Sequence, residues 1–222
     1  PRAALRKGIL YPNAPERMAH LVRLFPGHDI EVFMAIRNPA TFLPPCFKHS
    51  PRETVADFMD GMDPRVVRWS DILLRMREAV PEIPITVWCN EDAPLVWAQV
   101  VREIAGLEHG DPVVGGYDLF SDIMSKDGAA RFGKYIEAKP NLSEIQTRRV
   151  MMAFLEKYAL DDAVDEVIDL PGWSEDLIAE LTEIYDEDVF AIERIPGVQL
   201  ISPCQGPLPP LPPRALPASP WA

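Results

Sequence analysis

Arg37 closes an apolar run, Ile30, Val32, Phe33, Met34 and Ile36, and is followed at once by Asn38-Pro39, which breaks it. A guanidinium in that setting presents a planar fork of N–H donors that grips a phosphate or carboxylate through two bonds. The alternative is an ion pair with an acid from the next loop. A second polar cluster, Asn90-Glu91-Asp92, follows the apolar run Pro84–Cys89 (PITVWC). Glu91 there sits at a strand end, available for site chemistry or paired with a loop arginine. Of the four histidines, His20 reads as structural or exposed on a helix, His28 as the solvated end of a Pro-Gly turn, and His109 offers no decisive reading. His49, in the loop after the helix that follows Arg37, is the one placed to border a cleft. Arg37 is therefore the candidate anion-binding residue.

Other chemistries find no support. Cys46, Cys89 and Cys204 are too few and too scattered for a disulfide framework or a zinc site, and read as reduced thiols of a cytoplasmic protein. No HExxH, CxxC, GxSxG or Walker pattern occurs, and no metal site is expected. Asp161, Asp162, Asp165 and Glu166 match no calcium-loop spacing and read as an acidic helix start. The five tryptophans, Trp69, Trp88, Trp97, Trp173 and Trp221, read as packing residues rather than a stacking platform for bases.

The elements that must carry Arg37 and Glu91 alternate between helix and strand. Ala14–Phe25 places Met18, Leu21, Val22 and Phe25 on one helical face, and Pro26-Gly27 ends it. Asp29–Arg37 reads as a strand buried on both faces. Asp63–Val80 reads as one amphipathic helix, with Val66, Val67, Ile72, Leu73, Met76 and Val80 on its apolar face. Pro84–Cys89 is a second buried strand, and Pro94–Leu107 a helix stopped by Gly106 or Gly110. From Gly115 onward helices dominate, among them Gln146–Leu160 and Ser174–Val189, the latter with Ser174 as N-cap; Val198–Ile201 is a last short strand. This order predicts an α/β fold, a parallel sheet flanked by helices with a helical C-terminal half. Ligands of such sheets bind beyond the carboxyl ends of the strands, where Arg37 and Asn90-Glu91-Asp92 fall.

The chain has 222 residues, 34 acidic against 22 basic, for a net charge of −12. That balance argues against nucleic acid as a partner, which requires a broad basic face. No apolar run is long enough to span a membrane, and no signal peptide opens the chain. The chain opens on Pro1 rather than methionine, as expected of a sequence that begins partway through a longer protein. Residues 141–200 hold 15 acids against Arg148, Arg149, Lys157 and Arg194, and read as solvated helices or as a face for a basic partner. Residues 203–222 carry eight of the 24 prolines and read as a disordered or polyproline tail, in which Pro209–Arg214 has the form of an SH3-type ligand or is an incidental extension. The expected organisation is one α/β domain over 1–202 and this tail.

Leu21–Phe47 (LVRLFPGHDIEVFMAIRNPATFLPPCF) resembles the core of the bacterial sulfotransferase-like family, which uses 3′-phosphoadenosine 5′-phosphosulfate as sulfuryl donor. There a helix precedes an apolar strand that ends in an Arg-(Asn/Asp)-Pro element. Ile85–Leu107 is similar to that family's strand, Glu-Asp loop and helix, and Trp173–Ile192 to its helix near the C-terminus. The resemblance runs from residue 14 to about 202. It implies a P-loop nucleotide-binding type of fold and sulfuryl transfer to a hydroxyl or amine of a small-molecule or carbohydrate acceptor. It also implies that Arg37, with Asn38 beside it, holds the nucleotide's 3′-phosphate, and that the acceptor hydroxyl needs a general base, for which His49 and Glu91 are the candidates. Two departures stand out. The family's second phosphate contact, a serine, falls at Pro45, which has no donor. The family's opening strand and glycine-rich loop have no counterpart; Arg6-Lys7-Gly8 lacks a preceding strand and a following Ser/Thr. Activity in this chain is therefore expected to be impaired. The competing expectation is a non-catalytic interaction module that uses the acidic helices or the proline-rich tail.

Overall fold

The computed structural model describes residues 5–6, 9–108, 111–160 and 170–204. Lys7-Gly8, His109, the acidic group at 161–166 and the proline-rich tail beyond Cys204, with Trp221, lie outside the described residues. The chain is mixed α/β, a small parallel three-stranded sheet flanked by helices. Its described residues fall into two compact units, residues up to 87 together with 170–200, and residues 88–160 together with 201–204.

The first unit opens with a short antiparallel pair, β1 (Leu5–Arg6) and β2 (Ile9–Leu10), with Leu5 opposite Leu10. Two residues per strand are too few for any periodicity to announce them in the sequence. Helix α1 (Ala14–Leu24) follows, with Pro15 in its first turn. Of its expected apolar face only Met18 is buried; Leu21 and Phe25 are about half exposed. The sheet has the order β3 (Val32–Ile36), β4 (Ile85–Cys89), β5 (Val198–Ile201). Central β4 is buried from Ile85 to Trp88, whereas in β3 only Ile36 is buried and Ala35 is exposed. The expectation that both strands are covered on both faces therefore holds for β4 alone. β3 lies at the edge of a narrow sheet, where the helical layers run out.

Asn38 starts α2 (Pro39–Lys48), and a short helix α3 (Val55–Phe58) follows. The helix expected over Asp63–Val80 is in fact a 3₁₀ turn (Pro64–Val66), an extended Val67-Arg68, and α4 (Trp69–Ala79). Two local devices make the break. The Asp63 carboxylate accepts from Arg65 N at 2.9 Å, and the Arg68 guanidinium donates to the carbonyls of Arg65 and Val67 at 2.6 and 2.9 Å. The third device is distant. Asp188, on α9 (Glu175–Ile192), accepts from Trp69 N at 2.6 Å, from Ser70 N at 3.2 Å and from the Ser70 hydroxyl, and so caps α4 from 119 residues away. Helix α4 packs against α1 and α9, and α9 also against α2. Ile36, Leu43, Ile72, Leu73, Ile83, Ile85, Leu181 and Ile192 form the buried interior. Ahead of β5, Gly197 has φ +78° and its missing Cβ leaves the space that the Arg77 guanidinium fills, donating to Pro196 O at 2.9 Å and to Ile83 O.

The second unit is helical. Helix α5 (Ala93–Ala105) ends at Gly106 in the left-handed conformation, φ +62°. Then come α6 (Asp118–Asp122), α7 (Lys126–Glu137) and α8 (Glu144–Tyr158). Helix α8 starts two residues ahead of the expected Gln146, because Ser143 and Gln146 form a reciprocal capping box. Phe120, Met124, Phe132 and Met151 make the core, with Phe120 edge-on to Phe132 at 4.7 Å. Tyr158 lies so close to α7 at Gly128 that any Cβ there would overlap its ring.

Candidate functional site

In the first unit the residue to follow is Arg37, half-buried just past β3 and just before α2. Its backbone carbonyl accepts from the Trp69 indole N–H at 2.7 Å, and its Nε donates to the Thr41 hydroxyl at 3.0 Å. Trp69 is itself held edge-on by Phe42 at 5.1 Å. The guanidinium thus stands at the carboxyl end of a parallel strand with its stem fixed from two sides.

Helix N-termini often add backbone donors to such an anion site, but this one has none to spare. Pro39 has no N–H; Ala40 N is taken by the Asn38 side-chain oxygen at 2.9 Å; Thr41 N and Phe42 N both donate to the Asn38 carbonyl. The other end of the Asn38 amide donates to the Thr182 hydroxyl of α9 at 2.9 Å. Asn38 is therefore a helix cap and a tether to α9, while Arg37 is left as the cation of the pair.

Within the first unit, His49 does not lie beside Arg37. His49 caps the opposite end of α2, its Nδ1 2.8 Å from Pro45 O. The ten-residue helix between them separates it from Arg37 by about 15 Å at 1.5 Å per residue. Pro45, the position of the family's serine, is in the interior of α2. Glu91 belongs to the second unit, exposed in the 3₁₀ turn Asn90–Asp92 that leads into α5. Beside it, burial and the Glu91 charge push the Asp92 carboxyl above its ordinary pKa.

The second unit holds a polar cluster that the sequence did not announce. Arg148, on α8, has a side chain only 5% exposed. It donates to Ser202 O at 3.1 Å, to the Gln99 side-chain oxygen of α5, and to Glu144 at 3.4 Å. Arg102, one turn along α5 from Gln99, pairs with the other Glu144 oxygen and donates to Asp111 O at 3.2 Å. Glu144 is 12% exposed and Arg102 13%. Burial lowers the Arg148 pKa against the pull of Glu144, and raises that of Tyr117, which lines the same cleft. A Glu-Arg pair four residues apart on a helix reads in sequence as a solvated pair. The signal that it is not is Gln99, a lone polar residue inside the apolar stretch PLVWAQVV. Among the described residues, no group of three or more His, Cys, Asp or Glu side chains is placed to hold a metal ion, and no helix is long and apolar enough to cross a membrane.

Comparison of the chain with protein-family models, with curated proteins and with solved structures finds no match.

Proposed function

We propose that the first unit binds a 3′-phosphorylated adenosine nucleotide, as a sulfotransferase-like protein of the P-loop nucleotide-binding type, with Arg37 as the 3′-phosphate anchor. The observation that carries this reading is the placement of Arg37: a half-buried guanidinium, braced by Trp69 and Thr41, at the carboxyl end of a parallel strand. The fit to the donor 3′-phosphoadenosine 5′-phosphosulfate is one-ended. Arg37 suits the 3′-phosphate. At the other end, no glycine-rich turn joins a strand to a helix among the described residues, and the first turn of α2 has its donors engaged by Asn38. The activity implied by the family resemblance is transfer of the sulfuryl group to a hydroxyl or amine acceptor in the cytoplasm. The reading for this chain is nucleotide binding by one phosphate.

Calorimetric titration of adenosine 3′,5′-bisphosphate into the protein and into Arg37→Ala tests it. The expected result is micromolar binding that the variant weakens at least thirtyfold, the loss of about 2 kcal/mol that a charge-assisted arginine–phosphate contact supplies. Equal affinity in both, or no binding by either, rejects the nucleotide reading. The second reading, an interaction module, rests on α9, where Glu175, Asp176, Glu180, Glu183, Asp186 and Glu187 are all exposed. It predicts binding to a basic protein that Arg37→Ala leaves unchanged.

A further inference from the structure

Helices α7 and α8 of the second unit carry a strip of rings between them. Tyr135 lies 6.1 Å from Phe154, and Phe154 lies 5.7 Å from Tyr158. A lysine stands at each end: the Lys139 ammonium is 5.8 Å from the Tyr135 ring, and that of Lys157 is 5.4 Å from the Tyr158 ring. Tyr135 and both lysines are exposed, and among the described residues no carboxylate pairs with either lysine. The acids of these two helices lie elsewhere. Asp127 is bonded to Arg131 at 2.8 Å. Glu137 and Glu156 each come two residues after a ring of the strip, which turns them to the far sides of their helices. In a chain of net charge −12 this strip is locally basic. It runs from α7 at Gly128, where Tyr158 packs, to Lys139, eleven residues on and about 16 Å away at 1.5 Å per residue.

Helix α9 of the first unit carries the opposite charge over the same span. Asp176, Glu180, Glu183 and Glu187 follow at intervals of four, three and four residues, so they form one stripe about 16 Å long. All four are exposed, and Glu180 alone of the four has an ion pair among the described residues, with Arg65 at 2.8 Å. Phe190, three residues beyond Glu187 on the same face, is 59% exposed.

We propose that α9 of one copy docks on the α7–α8 strip of a second copy, its acids meeting Lys139 and Lys157 and Phe190 resting against the rings. Charge, length and aromatic content agree between the two faces. The repulsion between two chains of like net charge is screened beyond about 8 Å at physiological salt, whereas the contacts along the strip are closer than that. Exposed ion pairs contribute less than about 1 kcal/mol each, so the association is weak and depends on the rings as well as on charge. Each copy has one face of each kind, so copies join head to tail or close reciprocally in pairs. The contact is independent of Arg37 and of any nucleotide, and it gives the acidic face of the interaction-module reading, on which it rests, a definite partner.

The test is analytical ultracentrifugation of the full chain over about 0.01–0.5 mM, the range in which a weak association is read. The weight-average mass of the wild type is expected to rise with concentration. Two charge-swapped proteins, Lys139→Glu with Lys157→Glu and Glu183→Lys with Glu187→Lys, are each expected to associate at least about tenfold more weakly. Mixing them in equal amounts, or placing all four substitutions in one chain, is expected to restore the association, because opposite charges then meet again. Restoration requires that the swapped proteins be folded, so misfolding cannot imitate it. Arg37→Ala is expected to associate like the wild type. A wild type that stays monomeric across the range, or swapped proteins that do not recover on mixing, overturns the proposal. Capture of a separate basic protein by α9 without self-association also overturns it, and leaves the interaction-module reading standing.

Discussion

The indole N–H of Trp173 donates to the carbonyl of Ala40 at 3.0 Å, and that carbonyl is the one Pro44 leaves without a helical donor. In an α-helix the N–H of residue i bonds the carbonyl of residue i−4, and proline has no N–H. Ala40 is fully buried, so water cannot stand in. Trp173, which comes 133 residues later, supplies the donor that the helix lacks. A helix with Pro44 and Pro45 in its interior thereby stays continuous from Pro39 to Lys48, just past Arg37.

Trp173→Phe keeps most of the ring and removes the donor. It is expected to cost about 1–3 kcal/mol in urea unfolding, the range for stranding a buried polar group. In a Pro44→Ala background, which restores the helical N–H, the same substitution is expected to cost less. The coupling between the two, read from the double-mutant cycle, separates the hydrogen bond from simple packing.

Glu144 is the carboxylate that holds Arg102 and Arg148 together in the second unit. Glu144→Gln leaves two guanidinium groups facing each other in a largely buried place. A loss of about 3–5 kcal/mol in denaturant unfolding is expected, against a smaller loss for Arg102→Met, which leaves a neutral pair.

Asp92 carries a pH dependence whose direction is fixed. Burial, reinforced by the Glu91 charge, holds its carboxyl above the ordinary range. A carboxyl raised in this way binds its proton more tightly in the folded protein than in the unfolded one. It therefore costs stability at neutral pH, and the cost fades as the pH falls through the folded value. Asp92→Asn is expected to raise Tm at pH 7 and to match the wild type at pH values below the carboxylate range, as scanning calorimetry across pH 3–7 would record.

Burial likewise pushes the Cys46 thiol up, with Arg37 opposing weakly. The reactive species is the thiolate. At pH 7.5, iodoacetamide is expected to label exposed Cys204 at least about tenfold faster than half-buried Cys46, with Cys46 catching up in urea. Mass spectrometry of the quenched time course reads both sites at once.

How much of this was legible in the sequence depends on how far each residue's partner lies along the chain. The run Ile85–Cys89 and the glycine after Ala105 declared β4 and the end of α5 because strand burial and the left-handed cap are local properties. Arg37 at a strand end was equally visible. The start of α4 was not: the apolar spacing through Val66 and Val67 continues without a break, and the cap that sets the first turn is Asp188. The role of Asn38 was hidden for a related reason, since Thr182, its tether, is 144 residues away. The Arg102–Glu144–Arg148 cluster was missed because charge spacing on one helix cannot say whether a second helix covers it. The buried state of Arg148 depends on Gln99 and on the carbonyl of Ser202, neither of which its own neighbourhood mentions.

The first unit draws on two described stretches of chain, and residues 88–160, the main part of the second unit, run between them. During synthesis α4 and β4 leave the ribosome long before the pieces that complete them. Until α9 and β5 arrive, the first turn of α4 lacks Asp188, the Ala40 carbonyl lacks Trp173, and β4 has an open edge where β5 will lie. The compact second unit, by contrast, has its four helices in hand once Tyr158 is made. The nascent protein therefore passes through a stage in which the four helices of the second unit are complete while the first unit still waits for α9 and β5, with one edge of β4 unpaired and open to wrong partners.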